Sequence, residues 1–96
     1  GVAQNHEEAA RLYRLAAEQG LPSAQYALGW MYANGKGVEQ NHILAHMRFS
    51  LAANKGNNNA KKWRISISKK KMTPEQITQA QNLAIECEER SYKYCD

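Results

Sequence analysis

The sequence repeats itself every 36 residues, and this period constrains the fold more than any other feature. Slid by 36 positions, Gly1-Val2 falls on Gly37-Val38, Gln4-Asn5-His6 on Gln40-Asn41-His42, and Ala9 on Ala45. Leu15-Ala16-Ala17 falls on Leu51-Ala52-Ala53, Gly20 on Gly56, Ala24 on Ala60, and the aromatic Tyr13 on Phe49. A period of this length holds one helix-turn-helix unit. A lone helix pair cannot bury its apolar stripe, so such units stack. The 96 residues hold about two and a half units, and a chain of this length is too short for a barrel or a doubly wound sheet.

Local signals place five helices. Asn5 is the expected N-cap of the first, with Glu7 and Glu8 in its first turn and Gly20 as its stop. Ser23 is expected to cap a second helix running to about Asn34, ended by Gly35-Lys36-Gly37. Asn41 opens a third, which stops at Gly56. The Asn57-Asn58-Asn59 turn caps a fourth, near Ala60 to Lys70. Thr73-Pro74-Glu75-Gln76 combines a cap, a first-turn proline and a capping box, and opens a fifth helix reaching roughly Arg90. Ile65-Ser66-Ile67-Ser68 alternates briefly, but it lies in register with a helix one repeat earlier.

On a helical wheel of the second helix, Ala24, Leu28, Met31 and Tyr32 form the buried stripe. Gly29 lies beside it, where a neighbouring helix can press on the backbone. Tyr26, Trp30 and Ala33 fall on the opposite side, which predicts two exposed aromatics on one face.

The pattern Ala24-x3-Leu28-Gly29-x2-Tyr32-x2-Gly35-x-Gly37-Val38, followed by Ala45, Phe49 and Ala52-Ala53-x2-Gly56, resembles the Sel-1-like repeat, a branch of the tetratricopeptide-like helical repeats. The resemblance covers nearly the whole chain and points to a bacterial member. It implies an all-α solenoid of antiparallel helix pairs. Residues 1–20 would be the second helix of a partial repeat, 21–56 a complete repeat, and 57–96 a terminal repeat with a capping helix. The terminal unit departs from the pattern: Arg64, Ile65, Ser68 and Lys71 replace the expected Leu, Gly, Tyr and Gly, as suits a polar end cap.

In this family the first helix of each repeat lines the concave surface. The positions equivalent to Tyr26, Trp30 and Ala33 one repeat later are Lys62, Ser66 and Lys69. The resemblance therefore implies a groove of Tyr26 and Trp30 beside Lys62, Ser66 and Lys69, suited to a protein or peptide with an extended or acidic segment. The plainer reading is that Trp30 packs on an upstream repeat or on its own neighbours.

Cys87 and Cys95 lie eight apart, roughly 12 Å in a continuous helix and too far to bridge unless the chain turns back after Ser91. Sel-1-like proteins of bacterial envelopes look similar here, with a cysteine pair flanking a Tyr-Lys segment. A disulfide and a periplasmic or secreted location follow from that likeness. The alternative has Cys87 as a small buried residue beside Ile77, Ala80 and Ala84, Cys95 free, and a cytoplasmic protein. No Cys-x-x-Cys redox motif occurs.

Other motifs favour structural readings. His42 and His46 stand one turn apart but lack a third ligand, so they read as a surface pair and no metal or cofactor is expected. Ser66-x-x-Lys69 and Ser68-x-x-Lys71 match a penicillin-recognising motif whose companion elements are missing. Lys55, Lys61, Lys62, Arg64, Lys69, Lys70 and Lys71 form a basic stretch on a chain of net charge +4. Without interleaved aromatics beyond Trp63, placed by the wheel near the buried side, it reads as a solvated cap rather than a nucleic-acid site. No apolar run could cross a membrane, Gly1 to Glu8 are too polar for a secretion signal, and Gly1 reads as an internal starting point.

The expected function is a non-catalytic, monomeric scaffold. One rival is an enzyme acting on β-lactams or peptidoglycan, which would have to use Ser66 or Ser68. Another is a purely structural cap of a longer array.

Overall fold

In the computed structural model, residues 2–96 are described, with side chains from Asn5 onward. They form α1 (Val2–Ala17), α2 (Pro22–Asn34), α3 (His42–Asn54), α4 (Asn58–Lys71) and α5 (Pro74–Glu89). Among the described residues there is no strand. The all-α repeat fold implied by the 36-residue period is the one observed.

Three helix starts follow from side-chain caps. The Asn41 side chain accepts from the Leu44 amide and Asn57 from the Ala60 amide. Thr73 accepts from Gln76 while the Gln76 side chain accepts from the Thr73 amide, closing the capping box. Two expected caps are corrected. Asn5 lies inside α1, because the helix begins at Val2 and runs through it. Glu7 and Glu8 therefore sit beyond the first turn. Ser23 also lies inside its helix. Leu21 is the N-cap of α2 and Pro22 takes the first helical position, where its missing N–H costs nothing. Helix α4 likewise begins at Asn58, two residues before the expected start.

Contacts give the directions. Asn41 donates to the Tyr32 carbonyl at one end, and Arg48 donates to Gln25 toward the other, so α2 and α3 are antiparallel. Their closest approach depends on Gly29: a Cβ there would stand 2.6 Å from Phe49 Cδ1. The rings of Phe49 and Tyr26 meet at 5.9 Å. Helix α5 forms no hairpin with α4. It lies along α3, where Ala84 and Cys87 cover Met47 and Leu51, and its Glu88 accepts from Asn54.

Helix α3 is thus surrounded by α2, α4 and α5. Its residues Ala45 to Ala52 are all buried, as expected of a helix apolar almost all round. Burying Met47, Phe49 and Leu51 stabilises the fold by about 1.5–3 kcal/mol each. This wrapping corrects the surface reading of the histidine pair: His46 is buried, and only His42 reaches an open face.

After α5 the chain turns back. Gly20, Gly56 and Tyr92 occupy the same repeat position, and all three adopt positive φ, at 79°, 94° and 69°. The first two are glycines, which take this conformation freely. Tyr92 is not, and Ser91 and Tyr94 beside it also have positive φ. The returning segment brings Cys95 to Cys87, with Cα atoms 5.1 Å apart and sulfurs at bonding distance.

Candidate partner-binding face

Three hollows adjoin along the side of the molecule formed by α1, α2 and α4. The first, of about 740 Å³, lies between α1 and α2 and is lined by His6, Ala9, Tyr13, Ser23, Tyr26, Ala27, Trp30 and Met31. The second, of about 380 Å³, includes Trp30, Ala33, His42, Phe49, Trp63, Ser66, Lys70 and Lys71 in its walls. The third, of about 230 Å³, lies among Asn59, Lys62, Trp63 and Ser66. Trp30 is shared by the first two, and Trp63 and Ser66 by the last two.

The helical repeat produces this line. Trp30 and Ser66 occupy the same repeat position, so each projects from the same side of its helix. Trp30 remains 39 % exposed and Trp63 46 % exposed. The wheel placed Trp63 near the buried side. The structure reverses that, because the buried faces of α4 are Ala60 and Ile67, which pack on α3. Tyr26 is less open than the wheel implied: its ring is half-buried against Phe49 and lines the first hollow.

Lys62 lines the third hollow, and Ser66 lies where two hollows meet. Lys69 lines none of the three, and Lys70 and Lys71 stand in the second instead. These three lysines form the last turn of α4, where cations complement the carbonyl end of the helix dipole. That accounts for much of the basic run without any ligand. Ser68 donates its hydroxyl to the Arg64 carbonyl at 2.7 Å, one turn back along its own helix.

A second polar constellation escaped the sequence reading. Arg48 sits in the apolar run of α3, its side chain only 3 % exposed. Its Nη1 donates to Gln25 Oε1 at 2.8 Å, while Nε and Nη2 both donate to Asp96 Oδ1. Arg14 and the Tyr32 hydroxyl donate to Asp96 Oδ2. Asp96, its side chain 17 % exposed, therefore ties α1, α2 and α3 together. Burial works to raise its pKa. The Arg48 charge, the hydrogen bonds from Tyr32 and Arg48, and the Arg14 charge outweigh burial and hold it below the usual carboxylate range. An arginine inside an otherwise apolar helix was the available signal; nothing local named its partner.

His46 shows the opposite balance. Burial, helped by the charge of Arg64, pushes its pKa down to about 4. Its Nδ1 stands 3.5 Å from Ser50 Oγ, one turn along α3. Among the described residues, no three His, Cys, Asp or Glu side chains gather to hold a metal ion. No helix among them is long and apolar enough to cross a membrane.

Comparison with known proteins gives the family. The sequence pattern of the Sel1 repeat matches residues 1–21 and again residues 22–57, more than half of the chain. An exopolysaccharide production negative regulator from Rhizobium leguminosarum bv. viciae is 44 % identical over 50 residues. That match takes in 52 % of this chain but only 19 % of the regulator. No solved structure matches.

Proposed function

Because the chain belongs to the Sel1 repeat family, whose repeats mediate protein–protein interaction and are typically non-catalytic, we propose that it is a protein-binding module that works through the α1–α2–α4 face. The carrying observation is the unbroken line of hollows joined by Trp30 and Trp63. Half-exposed tryptophans in shallow apolar walls are typical binding anchors, since they bury much area at little entropic cost. Lys62, Lys70 and Lys71 at one end favour a partner segment carrying acidic residues there. Tyr26 and Ser66 shape the walls, and Lys69 contributes only long-range charge. The concave surface is built before the partner arrives, so little ordering entropy is lost on binding. The module acts as a monomer and needs no cofactor.

The Cys87–Cys95 bridge supports an oxidising compartment, periplasmic or extracellular. A regulatory role, as the name of the Rhizobium relative indicates for that protein, suits a module that binds without reacting.

The test is affinity capture from an envelope extract with the wild-type chain and with a Trp30→Ala, Trp63→Ala double variant. More than half of each ring is buried, so the variant should melt somewhat lower than wild type, and capture is compared at a temperature where both are folded. A partner held by wild type and lost by the variant supports this face. Equal capture by both refutes it.

One observation favours a second reading. Leu12, Tyr13 and Leu15 of α1 are exposed, whereas Arg48, Phe49 and Leu51 at the same positions one repeat later are buried by α2, α5 and the returning tail. On that reading, the first hollow receives another helix of the same repeat pattern, seated on α1 as α2 is seated on α3. A chain extended by such a helix would then lose exposure at Tyr13 and Trp30 while Trp63 remained open.

A further inference from the structure

The tail after α5 does more than end a helix. Residues 91–96 cross the α1–α2 turn and the end of α3. The Tyr92 ring lies under Lys55, with Nζ 4.7 Å from its centroid, and Lys55 also donates to the Gly20 carbonyl at 2.8 Å. Lys93 reaches the Glu18 carbonyl at 3.5 Å. Beyond them, Asp96 enters a socket whose walls are Arg14, Gln25, Tyr32 and Arg48. Every polar contact that these walls make with Asp96 is a donor aimed at a carboxylate oxygen.

The segment is held in a backbone conformation that it would not adopt alone. Ser91, Tyr92 and Tyr94 have φ of 56°, 69° and 58°, a region that L side chains rarely occupy. Such strain persists only where surrounding contacts impose it. The Cys87–Cys95 link is the covalent one among those contacts, and it lies immediately before Asp96.

We propose that Arg14, Gln25, Tyr32 and Arg48 form a carboxylate-binding socket, occupied by the chain's own Asp96 while the Cys87–Cys95 bridge is closed and opened to an external carboxylate when that bridge is reduced. The reductant is a dithiol. One of its thiolates attacks the half-buried Cys95 sulfur, the S–S bond breaks, and its second thiol resolves the mixed disulfide. The dithiol ends as a disulfide, and Cys87 and Cys95 take up the two electrons and two protons as thiols. The tail then relaxes out of its left-handed conformation and withdraws Asp96. Arg48 is left as a buried cation with two free donors, which a carboxylate fits in a bidentate manner. None of the four socket residues lines the hollows of the partner-binding face, so this site is separate from that proposed function.

The experiment follows the Arg48 Nε–H resonance and the amides of residues 91–96 by NMR in oxidised and dithiol-reduced full chain, with sodium acetate as the probe and sodium chloride at equal ionic strength as the control. The oxidised chain should ignore acetate. The reduced chain should show mobile tail amides and a saturable Arg48 shift, with half-saturation at acetate concentrations on the order of millimolar. An ordered tail after reduction, no acetate response, or unfolding of the reduced chain would each overturn the latch. A second variant tests the socket with the bridge intact. Asp96→Gly should lose thermal stability, and acetate should restore it saturably where chloride does not. Absence of that rescue would overturn the carboxylate specificity.

Discussion

Replacing Asp96 with Asn should destabilise the protein well beyond what a residue at the edge of the described chain ordinarily costs. The substitution keeps the shape but removes the charge that faces Arg48 and Arg14. Arg48, with a side chain only 3 % exposed, is then a buried cation without a counter-ion. Removing one partner of a buried pair costs about 3–5 kcal/mol. The Asn carbonyl can still accept from Arg48, so the lower end, about 3 kcal/mol, applies. In a domain of this size each kcal/mol moves Tm by about 4–8 °C, which gives a fall of roughly 12–24 °C. Total stability for such domains is about 5–15 kcal/mol, so the variant stays folded at room temperature. Thermal melts and urea titrations of the oxidised chain supply the number. The companion is Arg48→Met, Asp96→Asn, which replaces the pair with an apolar side chain and a neutral one. It should recover all but about 1 kcal/mol, the residue being Gln25 Oε1 left without its donor. A single-variant loss under about 1 kcal/mol, or a double variant no better than the single, would refute the reasoning.

Acidification should destabilise the fold in two stages. His46 has a folded pKa of about 4, below its ordinary 6.5, so its contribution is complete above pH 6.5 and is lost as pH falls toward 4. The gap amounts to about 3 kcal/mol, and His46→Gln should flatten that limb of a stability-versus-pH curve. Asp96, also held below its usual range, contributes above about pH 4, and that share is lost only at lower pH, so Asp96→Asn should lower the whole curve above about pH 4 and remove the second limb, leaving the slope of the first unchanged. Gly29→Ala would force a Cβ to 2.6 Å from the Phe49 ring; a loss of about 1–3 kcal/mol is expected in urea titration, and a neutral result would contradict the packing described. Tyr92→Gly should relieve the left-handed backbone yet lose the contact with Lys55, so the net change should be smaller than that of Tyr92→Ala, measured by the same melts.

What the sequence revealed depended on range. Asn41, Asn57 and Thr73 were legible because a cap needs only the next three residues. Gly29 was legible because small residues recur where helices touch. The Asn5 and Ser23 caps failed for lack of context: an N-cap must itself be non-helical, and each of these residues lies inside a helix that starts earlier. The exposure of Trp63 and the burial of His46 depend on which helix covers which face, and α5 lies along α3 rather than α4. No wheel of a single helix contains that choice. Asp96 was hidden for the same reason, since Arg48 lies 48 residues away and the contact exists only once the tail has turned. The turn itself was half legible: the 36-residue shift that aligns Gly20 with Gly56 also aligns them with Tyr92.

The central claim is that partners dock on the line of hollows through Trp30. Site-specific photo-crosslinking tests it most directly, with the light-activated residue placed at the exposed Ser23, which lines the first hollow beside Trp30, in one chain and at the exposed Gln79 of α5 in another. In an envelope extract, the probe at position 23 should form a discrete adduct with a partner protein, and the probe at position 79 should not. Equal adducts at both positions, or an adduct from position 79 alone, would contradict the account.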